Sequence, residues 1–94
     1  MDVFPGPAIY ALADSQFHFY AYPAIVYVGQ TDHWRRRHAY HLRKGDIIFD
    51  IARAVFIEHD GIRRLLEGRL IKYFKHPESG HADSLLNIRS ASRG

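Results

Sequence analysis

The chain has 94 residues, of which 47% are apolar and 24% charged, and these are the length and proportions of one globular domain. It contains no cysteine, which excludes disulfide scaffolds, thiolate zinc sites and cysteine nucleophiles. No apolar run approaches the ~18 residues of a membrane span and the amino terminus lacks a secretory pattern, so we expect a cytoplasmic domain without membrane contacts.

The first third of the chain predicts a β-hairpin. Residues 1–7 contain two prolines and a glycine, and we expect an unpaired lead-in there. The apolar run at 8–13 and the β-branched and aromatic run at 24–29 predict two strands. Turn formers and alternating aromatic residues fill 14–23, where they could extend the hairpin or cover one of its faces. Strands this close in sequence most simply pair antiparallel.

A helix is predicted to follow the hairpin. Thr31 or Asp32 could cap its first turn, and the residues after them favour a helix as far as Lys44. Gly45 stands where a helix commonly ends.

Two stripes of side chains run along this predicted helix. Trp34, His38 and Leu42 follow one another at intervals of four residues, and Arg37 and His41 share a neighbouring stripe. We expect Trp34 and Leu42 to pack under the sheet, and the stripe of Arg37 and His41 to face the two strands.

The second half predicts one strand, one helix and a short last element. Residues 52–58 alternate as a third strand, and Asp60 is expected to cap a helix that ends before Pro77. Residues 77–84 predict a loop, and 84–87 one more apolar contact. The helix should bury an apolar stripe made of Ile62, Leu65, Leu66, Leu70, Tyr73 and Phe74.

This order of elements predicts a small α/β (more closely α+β) domain. We expect a three-stranded, mainly antiparallel sheet flanked by helices. Residues 1–94 then form a single domain with a core at about 8–87, and 1–7 and 88–94 are tails.

Several polar groups lie where this pattern does not require them. Taken singly, each has an ordinary explanation as a packing tyrosine, a solvated arginine, a surface histidine or a surface ion pair. Gly68, inside the second helix, costs roughly 1 kcal/mol relative to alanine, and close approach of another backbone or a ligand would explain it. The residues in question are Tyr10, Tyr27, Arg37, His41 and Glu67.

Together these residues form a recognisable pattern. Residues 8–10 read AIY and residues 27–29 read YVG; Arg37 follows that glycine by eight positions and His41 follows Arg37 by four. This sequence pattern resembles the core of the GIY-YIG nuclease superfamily, in which a YIG or YVG turn precedes an arginine and then a histidine or tyrosine.

The resemblance extends through the rest of the predicted core. The family carries a glutamate on the helix after the third strand, which Glu67 matches, and it often ends with a leucine–asparagine pair, which Leu86 and Asn87 match. The resemblance therefore implies Asn87 as a further catalytic residue. There are two departures: Ala8 replaces the first glycine, and the loop before Asn87 lacks a proline often found there. Neither departure removes a catalytic group.

The resemblance implies metal-assisted hydrolysis of a phosphodiester. Glu67 would be the one protein ligand of Mg²⁺ or Mn²⁺, and Arg37 would stabilise charge on the phosphate. Tyr10 would orient or deprotonate the attacking water, and His41 could take that proton. Tyr27 would position the phosphate or the nucleophile.

DNA is the implied partner, held largely through its phosphates. The chain is basic, and ten of its thirteen Lys and Arg residues are arginine, which suits phosphate. Trp34 could stack on a base, although core packing explains it better. Sequence specificity would come from DNA shape, self-association or a protein partner. The candidate phosphate contacts are Arg35, Arg36, Arg43, Lys44, Arg63 and Arg64.

Two other interpretations stay open. One is a non-catalytic nucleic-acid-binding module, or a partner-dependent subunit, on the same fold. The other is a histidine-rich metal-binding or interaction domain whose motif match is accidental. The latter requires several of five histidines to converge, namely His33, His38, His41, His76 and His81.

Overall fold

The structure, a computed structural model, describes residues 4–16 and 23–86. The aromatic residues 17–22, expected to extend or cover the hairpin, lie outside these residues, as does Asn87. The described elements are β1 (Ala8–Asp14), β2 (Ala24–Thr31), α1 (Trp34–Lys44), β3 (Ile51–Phe56), α2 (Asp60–Lys75) and a 3-10 helix (Pro77–Ser79).

The strands form one antiparallel sheet in the order β2-β1-β3. With two helices beside it, this sheet confirms the predicted fold class and the β1–β2 hairpin. β1 occupies the centre because it is the most apolar strand, and Ala8 and Leu12 are completely buried in it. Within residues 4–16 and 23–86, no helix has the length and apolar character needed to cross a membrane.

The register of β1 places one residue pair at the middle of the sheet. Tyr10 lies opposite Gly29 of β2 on one side and Ala54 of β3 on the other. Leu12 lies opposite Tyr27, just before a bulge in the β1–β2 pairing. Tyr27 and Gly29 are two residues apart on one strand, so both present the sheet face on which Tyr10 lies.

Apolar side chains cover both faces of the sheet. On the face of Tyr10, the Trp34 ring of α1 packs with its centroid 4.7 Å from that of the Tyr10 ring. On the other face, Ile71 of α2 packs with Val28 and Leu85. Burial of Leu85 confirms the predicted late apolar contact.

The expected burial of Leu42 is wrong. Leu42 is 61% exposed, whereas His41 is buried. Leu42 follows Trp34 by eight residues, which rotates its side chain about 80° around the helix axis from that of Trp34. His41 follows Trp34 by seven residues and is rotated by only about 20°, so His41 and not Leu42 lies on the buried face with Trp34. Trp34 is buried as expected, but on the face of Tyr10.

Histidines cap both helices, in place of the residues predicted from the sequence. His33 Nδ1 accepts a hydrogen bond from the Arg36 N–H at 3.2 Å, and Thr31 still belongs to β2. At α2, His59 Nδ1 accepts from the Ile62 N–H at 3.2 Å. An imidazole can replace the usual cap because its unprotonated nitrogen accepts as a carbonyl oxygen does.

Helix α1 ends as predicted. Gly45 adopts the left-handed conformation with φ of 72°, and its N–H donates to the His41 carbonyl at 3.2 Å. A positive φ strains residues with a Cβ, so glycine is favoured at this position.

The apolar stripe predicted for α2 is only partly buried. Ile71 is buried, and Leu66, Leu70 and Phe74 are half-buried, whereas three predicted members are exposed. Helix α2 packs on β2 and β1 but makes little contact with β3, so the part of its surface beyond β1 stays uncovered. The exposed members are Ile62, Leu65 and Tyr73.

Candidate functional site

A buried tyrosine and a buried histidine form the centre of the site. The Tyr10 hydroxyl lies 2.8 Å from His41 Nε2, and the two residues are 2% and 4% exposed. Tyr10 comes from the central strand and His41 from α1. Trp34 packs on the Tyr10 ring two helical turns before His41, which brings the imidazole to the phenol.

Gly29 provides the space that Tyr10 occupies. A Cβ at this position would lie 2.5 Å from the Tyr10 hydroxyl oxygen and 2.6 Å from the adjoining ring carbon. Since Tyr10 is opposite Gly29 in the sheet, its ring lies across the glycine backbone. This contact is the physical reason for the glycine in the YVG motif.

A pair of glycine variants tests this account. We expect Gly29→Ala to lower the free energy of unfolding by about 2 kcal/mol, because an extra methyl group must displace a packed ring. Gly68→Ala should raise it by up to about 1 kcal/mol, because alanine favours the helix and a Cβ at Gly68 meets no atom of residues 4–16 and 23–86 within 4 Å. Urea titration of both variants measures the two changes in the free energy of unfolding. Equal changes would contradict the account in which Tyr10 occupies the space beside Gly29.

Tyr27 completes an aromatic cluster around the buried pair. Its ring centroid lies 6.2 Å from that of Tyr10 and 5.3 Å from that of His41. Burial raises the pKa of the Tyr27 hydroxyl. Tyr27 therefore remains a neutral phenol at physiological pH, able to donate or accept a hydrogen bond.

Two charged side chains shift the pKa values of both the Tyr10 and the Tyr27 hydroxyl. Burial raises the pKa of Tyr10 most, the Glu67 carboxylate raises it further, and the Arg37 guanidinium lowers it by charge and hydrogen bonding. The same two groups shift the pKa of Tyr27 in the same two directions. Tyr10, Tyr27, His41 and Arg37 thus lie together, and the charge of Glu67 acts on both phenols from α2. Burial has the largest effect on the pKa of Tyr10, so the Tyr10 hydroxyl is protonated at physiological pH and is a better hydrogen-bond donor than a base.

His41 is held in its uncharged form. Burial lowers its pKa, and the positive charge of Arg37 lowers it further. A neutral imidazole has one free nitrogen, which can accept the Tyr10 proton at Nε2. Among the residues that the structure describes, His41 Nδ1 has no hydrogen-bond partner although it is buried.

Glu67 reaches the site from α2, and Arg63 fixes the place of that helix. Arg63, Glu67 and Ile71 follow one another on successive turns, with Ile71 packed on Val28. The Arg63 guanidinium donates to Gln30 Oε1, to the backbone carbonyls of residues 57 and 58, and to Asp60, over 2.9–3.1 Å. Burial raises the pKa of Glu67.

The structure corrects the assignment of Arg63 to DNA binding. Its side chain is buried and its donors are used within the protein, so it cannot reach a phosphate. Arg64 is exposed but pairs with Asp60 at 3.0 Å, and Lys44 lies 3.9 Å from Asp46. Arg35 is exposed on α1.

A basic cavity adjoins the site. Arg36, Arg37, Tyr40 and Arg43 line an open cavity of about 450 Å³ on α1. Arg37 belongs both to this cavity and to the buried site. We did not predict Tyr40 from the sequence, although its position three residues after Arg37 is a signal that it shares that helix face.

Gly68 has open space beside it. Among the residues that the structure describes, nothing lies within 4 Å of a Cβ built there, so close approach of backbone from those residues is not the reason for this glycine.

The residues present fit a weakly held divalent cation. No group of three or more His, Asp or Glu side chains in residues 4–16 and 23–86 could hold a metal ion. Two of the histidines named for a metal-binding or interaction domain make separate structural contacts: His33 caps α1, and His81 accepts from the Ile25 N–H at 3.0 Å. One carboxylate, Glu67, suits Mg²⁺, which commonly keeps waters and takes substrate phosphates as ligands.

Comparison with known proteins leaves the family open. No family model matches the chain, and no curated protein or solved structure shows significant similarity to it. The resemblance to the GIY-YIG superfamily thus stays a prediction that depends on the motif residues of this chain.

Proposed function

We propose that the chain is a divalent-metal-dependent endonuclease that hydrolyses DNA phosphodiester bonds. The observation that carries the proposal is the buried Tyr10–His41 hydrogen bond with the charges of Arg37 and Glu67 acting on it. This arrangement supplies a cation for phosphate, a carboxylate for metal and a proton acceptor within one small site.

Glu67 and Arg37 would act on the phosphate. Glu67 would hold Mg²⁺ or Mn²⁺, which when bound supplies Lewis-acid stabilisation of phosphoryl charge. Arg37 would bind phosphate oxygens through its planar guanidinium and stabilise the charge that develops on them.

Tyr10 and His41 would handle the proton of the attacking water. The water donates to the Tyr10 oxygen while the Tyr10 O–H donates to His41 Nε2, so a proton leaves the water as the water oxygen bonds to phosphorus. The bond from phosphorus to the leaving ester oxygen breaks in the same displacement, and solvent water protonates that oxygen. His41 is the final acceptor because it is neutral at physiological pH, whereas burial keeps Tyr10 protonated. Tyr27 would position the phosphate by a hydrogen bond from its hydroxyl.

The exposed arginines of α1 would hold DNA by its backbone. Arg36 and Arg43 line the cavity that Arg37 shares, so phosphates on either side of the reacting one would meet positive charge. Sequence specificity would come from DNA shape, self-association or a protein partner.

Incubation with supercoiled plasmid tests the proposal. The expected result is conversion to nicked and then linear DNA with Mg²⁺ or Mn²⁺, and none with EDTA. If the protein retards DNA in a gel but never nicks it with either metal, the nuclease proposal fails. The non-catalytic nucleic-acid-binding module would then be favoured, because the arginine-lined cavity alone supports phosphate binding.

A further inference from the structure

We propose that the cavity on α1 accepts an unpaired nucleotide, whose base stacks on Tyr40 while arginines hold its phosphates. The inference rests on the proposed function and names the DNA structure that the site prefers. Its ligand is a strand with an unpaired base beside the phosphate that is cut.

The lining of the cavity matches a nucleotide. Of the lining residues that the structure describes, three are arginines, one is a tyrosine and none is acidic. Neither Arg36 nor Arg43 has an ion-pair partner among residues 4–16 and 23–86, so their charges are available to phosphate. The volume of about 450 Å³ is within the range of small-molecule sites.

Tyr40 presents a stacking surface next to the reacting groups. The residue is 40% exposed, and both the Arg37 guanidinium carbon and Lys44 Nζ lie 5.7 Å from its ring centroid. Its ring centroid is 5.4 Å from that of His41. A base stacked on Tyr40 would therefore place its own phosphate near Arg37.

The stacking surface selects unpaired nucleotides. A base inside a duplex is already stacked on both sides and must leave the helix to reach Tyr40. A base that is unpaired beforehand avoids that cost and gains the aromatic contact. The protein should consequently bind DNA with an unpaired nucleotide more tightly than the matching perfect duplex.

Fluorescence of 2-aminopurine, which changes when the base stacks, provides the test. Two oligonucleotides carry this base either unpaired in a one-nucleotide bulge or paired in a duplex, and binding is measured with EDTA so that no strand is cut. We expect tighter binding of the bulged DNA and a fluorescence change on binding. Tyr40→Ala should weaken binding of bulged DNA by about 5- to 150-fold and abolish that change. Tyr40→Phe should keep both.

Tyr73→Ala is the matched control, because Tyr73 is a 61% exposed tyrosine on α2 outside the cavity. It should bind both DNAs as the unchanged protein does. If Tyr40→Ala binds bulged DNA normally, or if the unchanged protein does not prefer it, the stacking inference is overturned. Plasmid nicking by the unchanged protein would persist in that case, so the failure is distinct from failure of the nuclease proposal.

Discussion

Replacing Glu67 with glutamine is expected to reduce plasmid cleavage by more than about a thousandfold. The carboxylate is the proposed metal ligand, and metal-ion stabilisation of phosphoryl charge contributes several kcal/mol to the barrier. Glutamine keeps the size of the side chain but loses its negative charge. The rate of nicking under single-turnover conditions with saturating protein measures the effect.

The fold should tolerate this change. Burial raises the pKa of Glu67 in the folded protein above its value in the unfolded chain. The folded state then binds the proton more tightly than the unfolded chain does. Stability therefore falls as pH rises from the pKa of Glu67 in the unfolded chain to its pKa in the folded protein, and above the folded pKa the ionised carboxylate is unfavourable to folding. Glu67→Gln should leave the free energy of unfolding at neutral pH unchanged or slightly higher, as urea titration would show.

Glu78 offers the matched control for this experiment. It is an exposed glutamate on the 3-10 helix, so Glu78→Gln makes the same chemical change away from the site. Normal cleavage by Glu78→Gln together with loss in Glu67→Gln is the expected pair of results. Full cleavage by Glu67→Gln would remove this residue from the mechanism.

Arg63→Ala is expected to produce the largest loss of stability. We expect a decrease of about 3 kcal/mol in the free energy of unfolding, because hydrogen bonds to charged groups are worth roughly 1.5–3 kcal/mol and the buried Arg63 side chain makes four of them. Gln30 and the carbonyls of residues 57 and 58 would be left without this donor. Urea titration of the variant at neutral pH measures the decrease.

The neighbouring arginine separates this effect from loss of positive charge. Arg64 also pairs with Asp60, but it is exposed, so Arg64→Ala should change stability by less than about 0.5 kcal/mol. Arg63→Lys should not restore stability, because one ammonium group cannot reach partners arranged around a planar fork. If Arg63→Ala and Arg64→Ala were equally stable, Arg63 would not hold α2 to β2.

Local patterns were sufficient for the fold class, and the resemblance to the GIY-YIG superfamily predicted the five motif residues. Alternating and β-branched runs predicted the strands, Gly45 predicted the end of α1, and the spacing of Arg37 and His41 predicted that they share a helix face. The structure brings these two together with Tyr10 and Tyr27, and the charge of Glu67 acts on both phenols. The strands, the end of α1 and the shared face of Arg37 and His41 depend on residues a few positions apart, where backbone geometry is the same in most folds.

Contacts between distant parts of the chain decided the rest. The sequence could not show that Arg63 is buried, because its partner Gln30 lies on another element, nor that β3 leaves part of α2 uncovered. A helix shows which residues share a face, but only its packing determines which face is buried. For that reason the burial of His41 instead of Leu42, and the opening of Tyr40 into a basic cavity, come from the tertiary structure alone.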